Sequence, residues 1–366
     1  MKHAFTIPMA AVLILALAGN SPASKDTNDP SAAAIAKGAK WLASVQGRDG
    51  GWGQDGGETS YVRQGERLES NGNDVANTAV AALALRRAGP EYQANVDRAL
   101  DFILRSVERS TADGLDVTNL QGTQIQRKLG PYIDTFLTSR LLTEVDGTLK
   151  NAALNARVRR ALEKCVAKIE RNQQRDGSWN QGGWAPVVGT SLASRSLYDA
   201  EQKGVKVDQQ AMVRANQYTQ QAMAATPPIS AAGGVPRYPS AAARPAAPAE
   251  AAGVPLYQSA QALEQLSRTK EARAANAPQI RAIQSRLADS RFVNGFGSIG
   301  GEEFFSYLNI SDGLRRTGGA EWTKWHSNIT DRILKLQNED GTWAGHHCIT
   351  GRVAVTSAAI LNLTVN

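Results

Sequence analysis

One short motif recurs three times along this chain. It reads Gln46-Gly-Arg-Asp-Gly-Gly-Trp52 first, Gln174-Arg-Asp-Gly-Ser-Trp179 next and Gln337-Asn-Glu-Asp-Gly-Thr-Trp343 last. Each copy follows a stretch whose apolar residues have helical spacing, so the motif marks the end of a helix. Asp-Gly supplies a turn whose glycine takes a positive φ, and an indole ring can cover such a turn. A corner that repeats in this way predicts a fold built from stacked copies of one unit.

The segments between these corners have two kinds of helical pattern. Alanine, leucine and valine at three- and four-residue spacing predict about twelve helices and almost no strand. Residues 158–169 are amphipathic and charged, whereas residues 75–85 and 354–363 are small and nearly uncharged. Because a helix that is apolar on every side must be buried on every side, the alternation predicts two concentric layers of helices. The predicted helices cover residues 31–46, 74–89, 91–107, 131–146, 154–173, 187–203, 208–225, 256–268, 272–289, 302–317, 320–338 and 351–364.

Three segments are predicted to lie outside these helices. Lys2 precedes an apolar run at residues 9–18 that is too short to span a bilayer and is followed by small residues, as in secretory signal peptides. We therefore expect a signal peptide at residues 1–18, a disordered leader at 19–30, and a periplasmic or secreted mature protein that does not span a membrane. Alanine and proline at residues 226–256 predict an extended or disordered surface insertion.

Charge and cysteine content narrow the classes of function. The chain has 366 residues and a formal net charge of +7, but its arginine pairs are scattered. No basic stripe is interleaved with aromatic residues, which argues against nucleic acid as a partner. Two cysteines, Cys165 and Cys348, could form one bridge but are too few for a disulfide scaffold. Cys165 lies on the apolar stripe of a helical pattern, which predicts a buried thiol.

The corner and the helix that follows it resemble the prenyltransferase/squalene-cyclase repeat superfamily. The resemblance covers about residues 31–366 and rests on Gln-x-x-Asp-Gly-x-Trp ahead of an alanine-rich helix. It implies an all-α fold, an α/α toroid with six inner and six outer helices around a central cavity. Asp113-Gly114 with residues 130–136 resembles a further corner, and Asn294-Gly-Phe-Gly-Ser298 resembles a degenerate one. Such a toroid hosts unrelated chemistries, so the fold alone does not name a function.

The motifs that carry the superfamily's known chemistries are missing from this sequence. It has neither the Asp-x-Asp-Asp acid of the cyclases nor an Asp-Asp-x-x-Asp cluster for diphosphate, and aromatic residues are only 6% of the chain. If Glu302 stands at the position of the zinc-binding aspartate of protein prenyltransferases, Phe304 stands where their cysteine would be. The Gly-Cys-Gly-Glu-Gln thioester motif is also absent. We therefore do not expect cyclisation, prenyl transfer or thioester chemistry of the usual kind.

Two polar clusters in the last quarter of the chain are the candidate site. Glu302 and Glu303 begin one predicted inner helix, and His346, His347 and Cys348 precede the next. Adjacent inner helices of a toroid begin at the same end of the cavity, so the clusters are predicted to meet there. Glu302, Glu303, His346 and His347 are the candidate catalytic residues. Glu302, His346, His347 and Cys348 are the candidate ligands of a metal, for which zinc is the natural choice. A helix amino terminus is also expected to favour the thiolate of Cys348.

A structural explanation of the same residues stays open. Carboxylates in the first turn of a helix are stabilised by the helix dipole without any catalytic role, and a cysteine is often a small buried residue. Tyr307 and Asn309, further along the helix that Glu302 begins, are expected to line the cavity and contact a ligand. Arg352 is expected to bind a carboxylate or phosphate, or to pair with Glu302 or Glu303.

The sequence leaves two classes of function. One is a toroid of the cell envelope that binds a small molecule, glycan or peptide at its central cavity. The other is an enzyme with a Glu/His/Cys site at the cavity mouth, acting in transfer, lyase or hydrolytic chemistry. A glycosidase would need two opposed carboxylates about 5–10 Å apart, which two adjacent glutamates do not provide by themselves. The lack of a complete catalytic signature favours the first class slightly.

Overall fold

The computed structural model describes residues 29–56, 72–179, 186–225, 254–293 and 300–365. These residues form fifteen α-helices and only isolated bridges of β type. No helix in this part of the chain combines the length and apolar character needed to cross a membrane. The helices are α1 (Pro30–Ser44), α2 (Val75–Ala88), α3 (Gln93–Arg109), α4 (Gln124–Leu129), α5 (Ile133–Val145), α6 (Ala152–Arg171), α7 (Pro186–Gln202), α8 (Gln209–Ala225), α9 (Val254–Leu266), α10 (Lys270–Ala275), α11 (Ala277–Leu287), α12 (Ser290–Val293), α13 (Gly301–Thr317), α14 (Gly319–Lys335) and α15 (Arg352–Leu363).

The helices form two concentric layers. The inner ring consists of α2, α5, α7, α9, α13 and α15, each packed on the next, and α15 closes the ring against α2. The outer layer consists of α1, α3, α6, α8, the pair α10–α11, and α14. Nearly every residue of α2 and α15 is buried, whereas α3 and α14 bury only one stripe. The predicted all-α toroid with six inner and six outer helices is confirmed.

The three corners share one hydrogen-bond pattern that explains their sequence. In the first, the Asp49 carboxylate accepts the Gly51 N–H, and Gly50 has φ +94°. The Trp52 indole N–H donates to the carbonyl of Leu42, ten residues back in the outer helix, at 2.8 Å. The Trp52 backbone N–H donates to the hydroxyl of Thr78 on the following inner helix. Trp179 and Trp343 repeat both bonds, with Thr190 and Thr356 as the hydroxyl partners. The corner therefore fastens each outer helix to the inner helix that follows it.

The glutamine of each corner joins one repeat to the next. The Gln46 side-chain amide donates to the carbonyl of Gly50 in its own turn and to that of Asn95 on α3. Gln337 donates in the same way to Gly341 and to Ala34 on α1, which helps to close the ring. In the second corner the residue with this role is Gln173, which donates to Gly177 and Ala211. The sequence-based choice of Gln174 is wrong by one position, because its neighbour keeps the four-residue spacing to the glycine.

The twelve predicted helices are all present, with ends that differ by a few residues. The segment predicted at 272–289 is two helices, because Pro278 lies in the first turn of α11 and lacks the N–H that a continuous helix needs. The short helices α4 and α12 were not predicted. Cys165 is fully buried on α6, as its apolar stripe predicted, and both cysteines are free thiols.

Several predictions concern residues outside the described ranges. The signal peptide at 1–18, most of the leader at 19–30, and the degenerate corner at 294–298 lie there. The predicted insertion at 226–256 lies there up to residue 253. Its last three residues instead begin α9, and Pro30 begins α1.

Candidate functional site

Glu302, His347 and Cys348 come together at the end of the inner ring where its helices begin. Glu302 lies in the first turn of α13 and is fully buried, while the turn before α15 carries the other two. One potential ligand atom from each residue lies within 4.8 Å of the other two. The His347 Nδ1 atom is 3.8 Å from Glu302 Oε1. We call these three residues the metal-ligand cluster.

Backbone contacts fix the position of this cluster. The Gly301 N–H donates to the carbonyl of Ile349 at 3.0 Å, and the Ile349 N–H lies 3.4 Å from Glu302 Oε2. A Cβ atom at Gly300 would stand 2.7 Å from the His347 ring and from Glu302 Oε2, so a larger residue there would push both side chains from their positions. Cys348 has φ +57°, a conformation that L-residues with a side chain adopt only at a cost. The turn therefore holds Cys348 in a strained geometry that aims its thiol at Glu302.

Burial is the largest influence on the pKa values of Glu302 and Cys348. Burial raises the pKa of Glu302, against the effect of a hydrogen bond from Cys348 and of a charge on His347. Burial and the neighbouring Glu302 carboxyl raise the pKa of the Cys348 thiol. The expectation of a favoured thiolate is wrong for this geometry, because desolvation and a carboxylate outweigh the helix terminus. Glu302 Oε1 is buried and makes no hydrogen bond within the described residues.

Glu303 and His346 lie apart from the cluster. Glu303 turns toward α9, where the Tyr257 hydroxyl donates to its Oε1 at 3.3 Å, and its Oε2 accepts the Gly300 N–H at 2.8 Å. Burial and the charge of Glu302 raise the pKa of Glu303 to about 8. His346 is exposed, and the metal-ligand cluster does not include it. The two consecutive histidines thus have different surroundings.

The residues predicted to contact a ligand each make hydrogen bonds or ion pairs within the protein. They are Tyr307, Asn309 and Arg352. Tyr307 faces the outer layer, where its hydroxyl donates to the Val293 carbonyl at 3.0 Å and its ring meets the edge of Trp325. It therefore does not line the cavity as predicted. Asn309 is buried and donates to the Ser191 hydroxyl of α7 at 3.1 Å, across the inside of the ring.

Arg352 pairs with aspartates rather than with Glu302 or Glu303. Its Nε lies 3.2 Å from Asp55 Oδ1, which also accepts the Arg352 backbone N–H at 3.0 Å. Its Nη1 lies 3.3 Å from Asp340 Oδ2. The guanidinium also stands over the ring of Trp41. Arg352 therefore fastens the start of α15 to the first repeat.

A second acidic group at the same end of the ring was not predicted. Asp74 and Asp134 begin α2 and α5 and are both fully buried. Asp134 accepts the Ala76 N–H at 3.0 Å and the Gln126 side-chain amide at 2.7 Å. Burial raises the pKa of Asp74 to about 6, and burial with the charge of Asp74 raises that of Asp134 to about 7. The one signal in the sequence was an aspartate immediately before an apolar helix, which is typical of an N-cap.

The donor set of the metal-ligand cluster fits a divalent metal of the zinc type. Imidazole nitrogen, thiolate sulfur and carboxylate oxygen are all zinc ligands, and catalytic zinc sites use three protein ligands with one open position. Glu302 Oε1 suits such a role because it is buried and makes no hydrogen bond with a described residue, and His347 suits it because its side chain is partly exposed. Metal binding would also displace the proton that Cys348 and Glu302 share.

Comparisons with known proteins agree with the repeat. The squalene-hopene cyclase C-terminal domain family matches residues 15–123, which include α1 to α3 and the first corner. A squalene–hopene cyclase of Bradyrhizobium diazoefficiens is 39% identical over 70 residues, covering 19% of this chain and 10% of the cyclase. The chain thus aligns with about a tenth of that relative's length. The predicted resemblance to the prenyltransferase/squalene-cyclase repeat superfamily is confirmed by these matches.

Proposed function

We propose that this toroid is an enzyme that holds a divalent metal ion, with zinc as the natural choice, at Glu302, His347 and Cys348. The observation that carries the proposal is the convergence of three ligand atoms of different chemistry within 4.8 Å of one another. They come from the first turn of α13 and from the turn before α15, two segments that are 47 residues apart at the Glu302–Ile349 contact. A buried carboxylate oxygen without a hydrogen-bond partner is unusual in a folded protein and supports a role in holding a ligand.

The residues around the cluster suit hydrolytic or transfer chemistry. The metal would polarise a bound carbonyl or phosphoryl group or activate a water molecule. Glu303, whose pKa is raised to about 8, is protonated in much of the population at neutral pH and can donate a proton. Tyr257 fixes the Glu303 carboxyl at 3.3 Å and so orients it. Substrates of the three classes considered, small molecules, glycans and peptides, would enter from the end of the ring.

A toroid that binds a ligand without catalysis is the second candidate. Buried polar atoms on the inner helices favour it, because several make no hydrogen bond with another described residue and so are available to a bound molecule. They include the hydroxyls of Thr138, Ser139, Thr143, Ser259 and Ser306, and Oδ1 of Asn309. Native mass spectrometry of the purified protein would detect a ligand retained there. A retained organic molecule in metal-free protein would favour this candidate.

The proposed setting is outside the cytoplasm. It rests on the apolar run at residues 9–18 and the small residues after it, which are typical of a signal peptide. In that setting a periplasmic or secreted toroid would meet glycans, peptides and small molecules. Amino-terminal sequencing of the protein recovered outside the cell would test cleavage near residue 18.

The metal proposal is tested on the full mature chain without a histidine tag. Elemental analysis is expected to find one zinc per chain, and Co²⁺ substitution is expected to give the ultraviolet charge-transfer band of a thiolate ligand. His347→Ala and Cys348→Ser are expected to weaken zinc affinity by about 100-fold or more, since each removes a direct ligand. Affinity should rise with pH, because zinc displaces the Cys348 proton.

His346→Ala is the matched control for the neighbouring histidine. It changes an exposed side chain next to the cluster and is expected to leave zinc affinity unchanged. Equal losses in His346→Ala and His347→Ala would contradict the assignment. Absence of zinc and cobalt binding in the unmodified protein would overturn the metal proposal and leave the ligand-binding toroid.

A further inference from the structure

The short helix α4 lies at the end of the inner ring where the inner helices begin, and it packs on α2, α5 and α7. At its start, Thr123 and Gln126 form a capping box, in which each side chain bonds the backbone N–H of the other. The Gln126 side-chain amide also donates to Asp134 Oδ2 on α5 at 2.7 Å. At its end, the Leu129 carbonyl is so close to α7 that a Cβ atom at Gly189 would stand 2.6 Å from it. Contacts near both of its ends therefore fix α4 on the ring.

The Gln124 side chain reaches from α4 to the segment that carries two members of the metal-ligand cluster. We call this segment, residues 346–351, the metal-ligand turn. Gln124 Oε1 accepts the backbone N–H of Thr350 at 3.0 Å and that of Gly351 at 3.2 Å. Gln124 Nε2 donates to the Thr350 hydroxyl at 3.0 Å. One side-chain amide thus makes three hydrogen bonds to two consecutive residues of the metal-ligand turn.

A second residue of α4 lies close to the same turn. Lys128 follows Gln124 by four residues, so the two side chains share a face of the helix. Burial and the Glu302 carboxyl raise the pKa of the Cys348 thiol, and the positive charge of Lys128 acts against them. Gln124 and Lys128 together indicate that this face of α4 is the one turned toward the metal-ligand turn.

The metal-ligand turn needs such support because one of its residues is strained. Cys348 has φ +57°, and a residue with a side chain keeps this conformation only where its surroundings hold it. On the α13 side, the Gly301 N–H donates to the Ile349 carbonyl at 3.0 Å. Gln124 holds the next two residues from α4, and both of these are buried. Loss of the oxygen that accepts two buried N–H groups is costly, so the turn would move without it.

We propose that Gln124 is a positioning residue for the metal-ligand cluster, which holds the metal-ligand turn so that His347 and Cys348 face Glu302. Gln124 acts through the backbone of Thr350 and Gly351 and is not itself a metal ligand. Its effect on metal binding rests on the proposed function, whereas its hold on the turn exists with or without a metal. Residues that orient the ligands of a metal typically contribute 10–100-fold to its affinity.

The zinc affinity of the full mature chain, measured by competition with a chelator, tests the effect on metal binding. Gln124→Met keeps the length of the side chain but removes its hydrogen-bonding groups, and it is expected to weaken zinc binding by about tenfold or more. Its Co²⁺ complex should keep the charge-transfer band of a thiolate ligand, because no ligand is lost. Gln121→Met is the matched control, since Gln121 is exposed and its amide donates to Asp116 instead of the turn. The control should bind zinc normally.

Hydrogen exchange of the metal-free protein tests the hold on the turn. In Gln124→Met the backbone amides of residues 348–351 are expected to exchange about tenfold faster or more, because two of them lose their acceptor. Gln124→Glu keeps an acceptor oxygen at the same place and should exchange like the unmodified protein. The amides of α6, which lie in another repeat, should be unchanged in both variants. Faster exchange throughout the chain would show a general loss of stability and would overturn the proposal.

The two experiments separate this proposal from the proposed metal site. If the unmodified protein binds no zinc, the metal site is wrong, and hydrogen exchange alone decides whether Gln124 holds the turn. If zinc binds but Gln124→Met binds it as tightly as Gln121→Met, the metal site stands and the role of Gln124 is wrong. Unchanged exchange of the turn in Gln124→Met would also overturn it. Should Gln124→Met fail to fold, Gln124→Ala must give the same faster exchange and weaker zinc binding.

Discussion

The two ends of the inner ring use carboxylates in opposite ways. Where the helices begin, Asp74, Asp134 and Glu303 lie near other acids and are held by amide, hydroxyl and backbone donors. Burial raises their pKa values to about 6, 7 and 8. Where the helices finish, Glu264 and Asp312 lie among arginines. Burial raises the pKa of each, but the arginines outweigh burial and hold both below the ordinary value.

This difference shows how one set of helices gives its two ends different charge environments. Acidic groups at helix starts and arginines at helix ends both agree with the helix dipole, so each end can hold its charges. The first end keeps groups that exchange protons near neutral pH, which suits chemistry or metal binding. The second end keeps permanent charges in ion pairs between arginines and buried acids. Substitution of one carboxylate by its amide should therefore change the free energy of unfolding in opposite directions at the two ends.

The largest effect is expected at the end where the helices finish. Glu264 is fully buried between Arg268 and Arg316, at 2.6 and 2.8 Å. Glu264→Gln leaves two arginines without their counter-charge and is expected to lower the free energy of unfolding by about 3 kcal/mol. Urea denaturation at neutral pH measures it, with the exposed Glu163→Gln on α6 as control. If Glu264→Gln lost no more unfolding free energy than the control, the Glu264 counter-charge would not be required to keep Arg268 and Arg316 in the folded protein.

Asp74→Asn at the other end is expected to stabilise the protein, and only at higher pH. Asp74 and Asp134 have folded-state pKa values of about 6 and 7, above the ordinary value of 3.8. Between about pH 4 and pH 7 the folded state thus binds more protons than the unfolded state, and stability falls as pH rises through this window. Asparagine caps a helix as well as aspartate does. Asn77 Nδ2 donates to Asp74 Oδ2 at 2.8 Å, so the Asn77 amide must turn over in the variant, which brings its Oδ1, without a hydrogen bond among the described residues, to the new amide donor.

The measurement is the free energy of unfolding near pH 4 and pH 8. Asp74→Asn should match the unmodified protein near pH 4 and exceed it by about 2 kcal/mol near pH 8, since one charge is gone and Asp134 ionises more easily. The exposed Asp97→Asn on α3 should leave the pH dependence unchanged. A variant that is equally destabilised at both pH values would show that the carboxylate acts as a cap and not as a titrating group.

The sequence predicted the fold well because the corner is local. Its turn, its tryptophan and its helix ends depend on residues within ten positions of each other, so spacing alone identifies them. The proximity of Glu302 and Cys348 could also be predicted, since the toroid places the starts of neighbouring inner helices side by side. The orientation of Tyr307 could not be predicted, because its position one turn along the helix does not determine which of the two layers its side chain faces. Asp134 was missed because its significance depends on its burial by residues from other helices.

The smallest expected effect concerns the corner glutamine that spacing misplaced by one residue. Gln173 donates to Gly177 and Ala211 and accepts from Arg214 Nε at 2.9 Å, whereas the Gln174 side chain accepts from the Ser178 hydroxyl at 3.2 Å. Gln173→Met should cost about 1 kcal/mol of unfolding free energy, and Gln174→Met less than about half of that. Because this corner lies at the acidic end but contacts none of its buried acids, the loss should be the same near pH 4 and pH 8. If the loss of unfolding free energy differed between the two pH values, the corner would interact with the titrating acids. The corners and the buried acids at that end of the ring could then not be treated as independent.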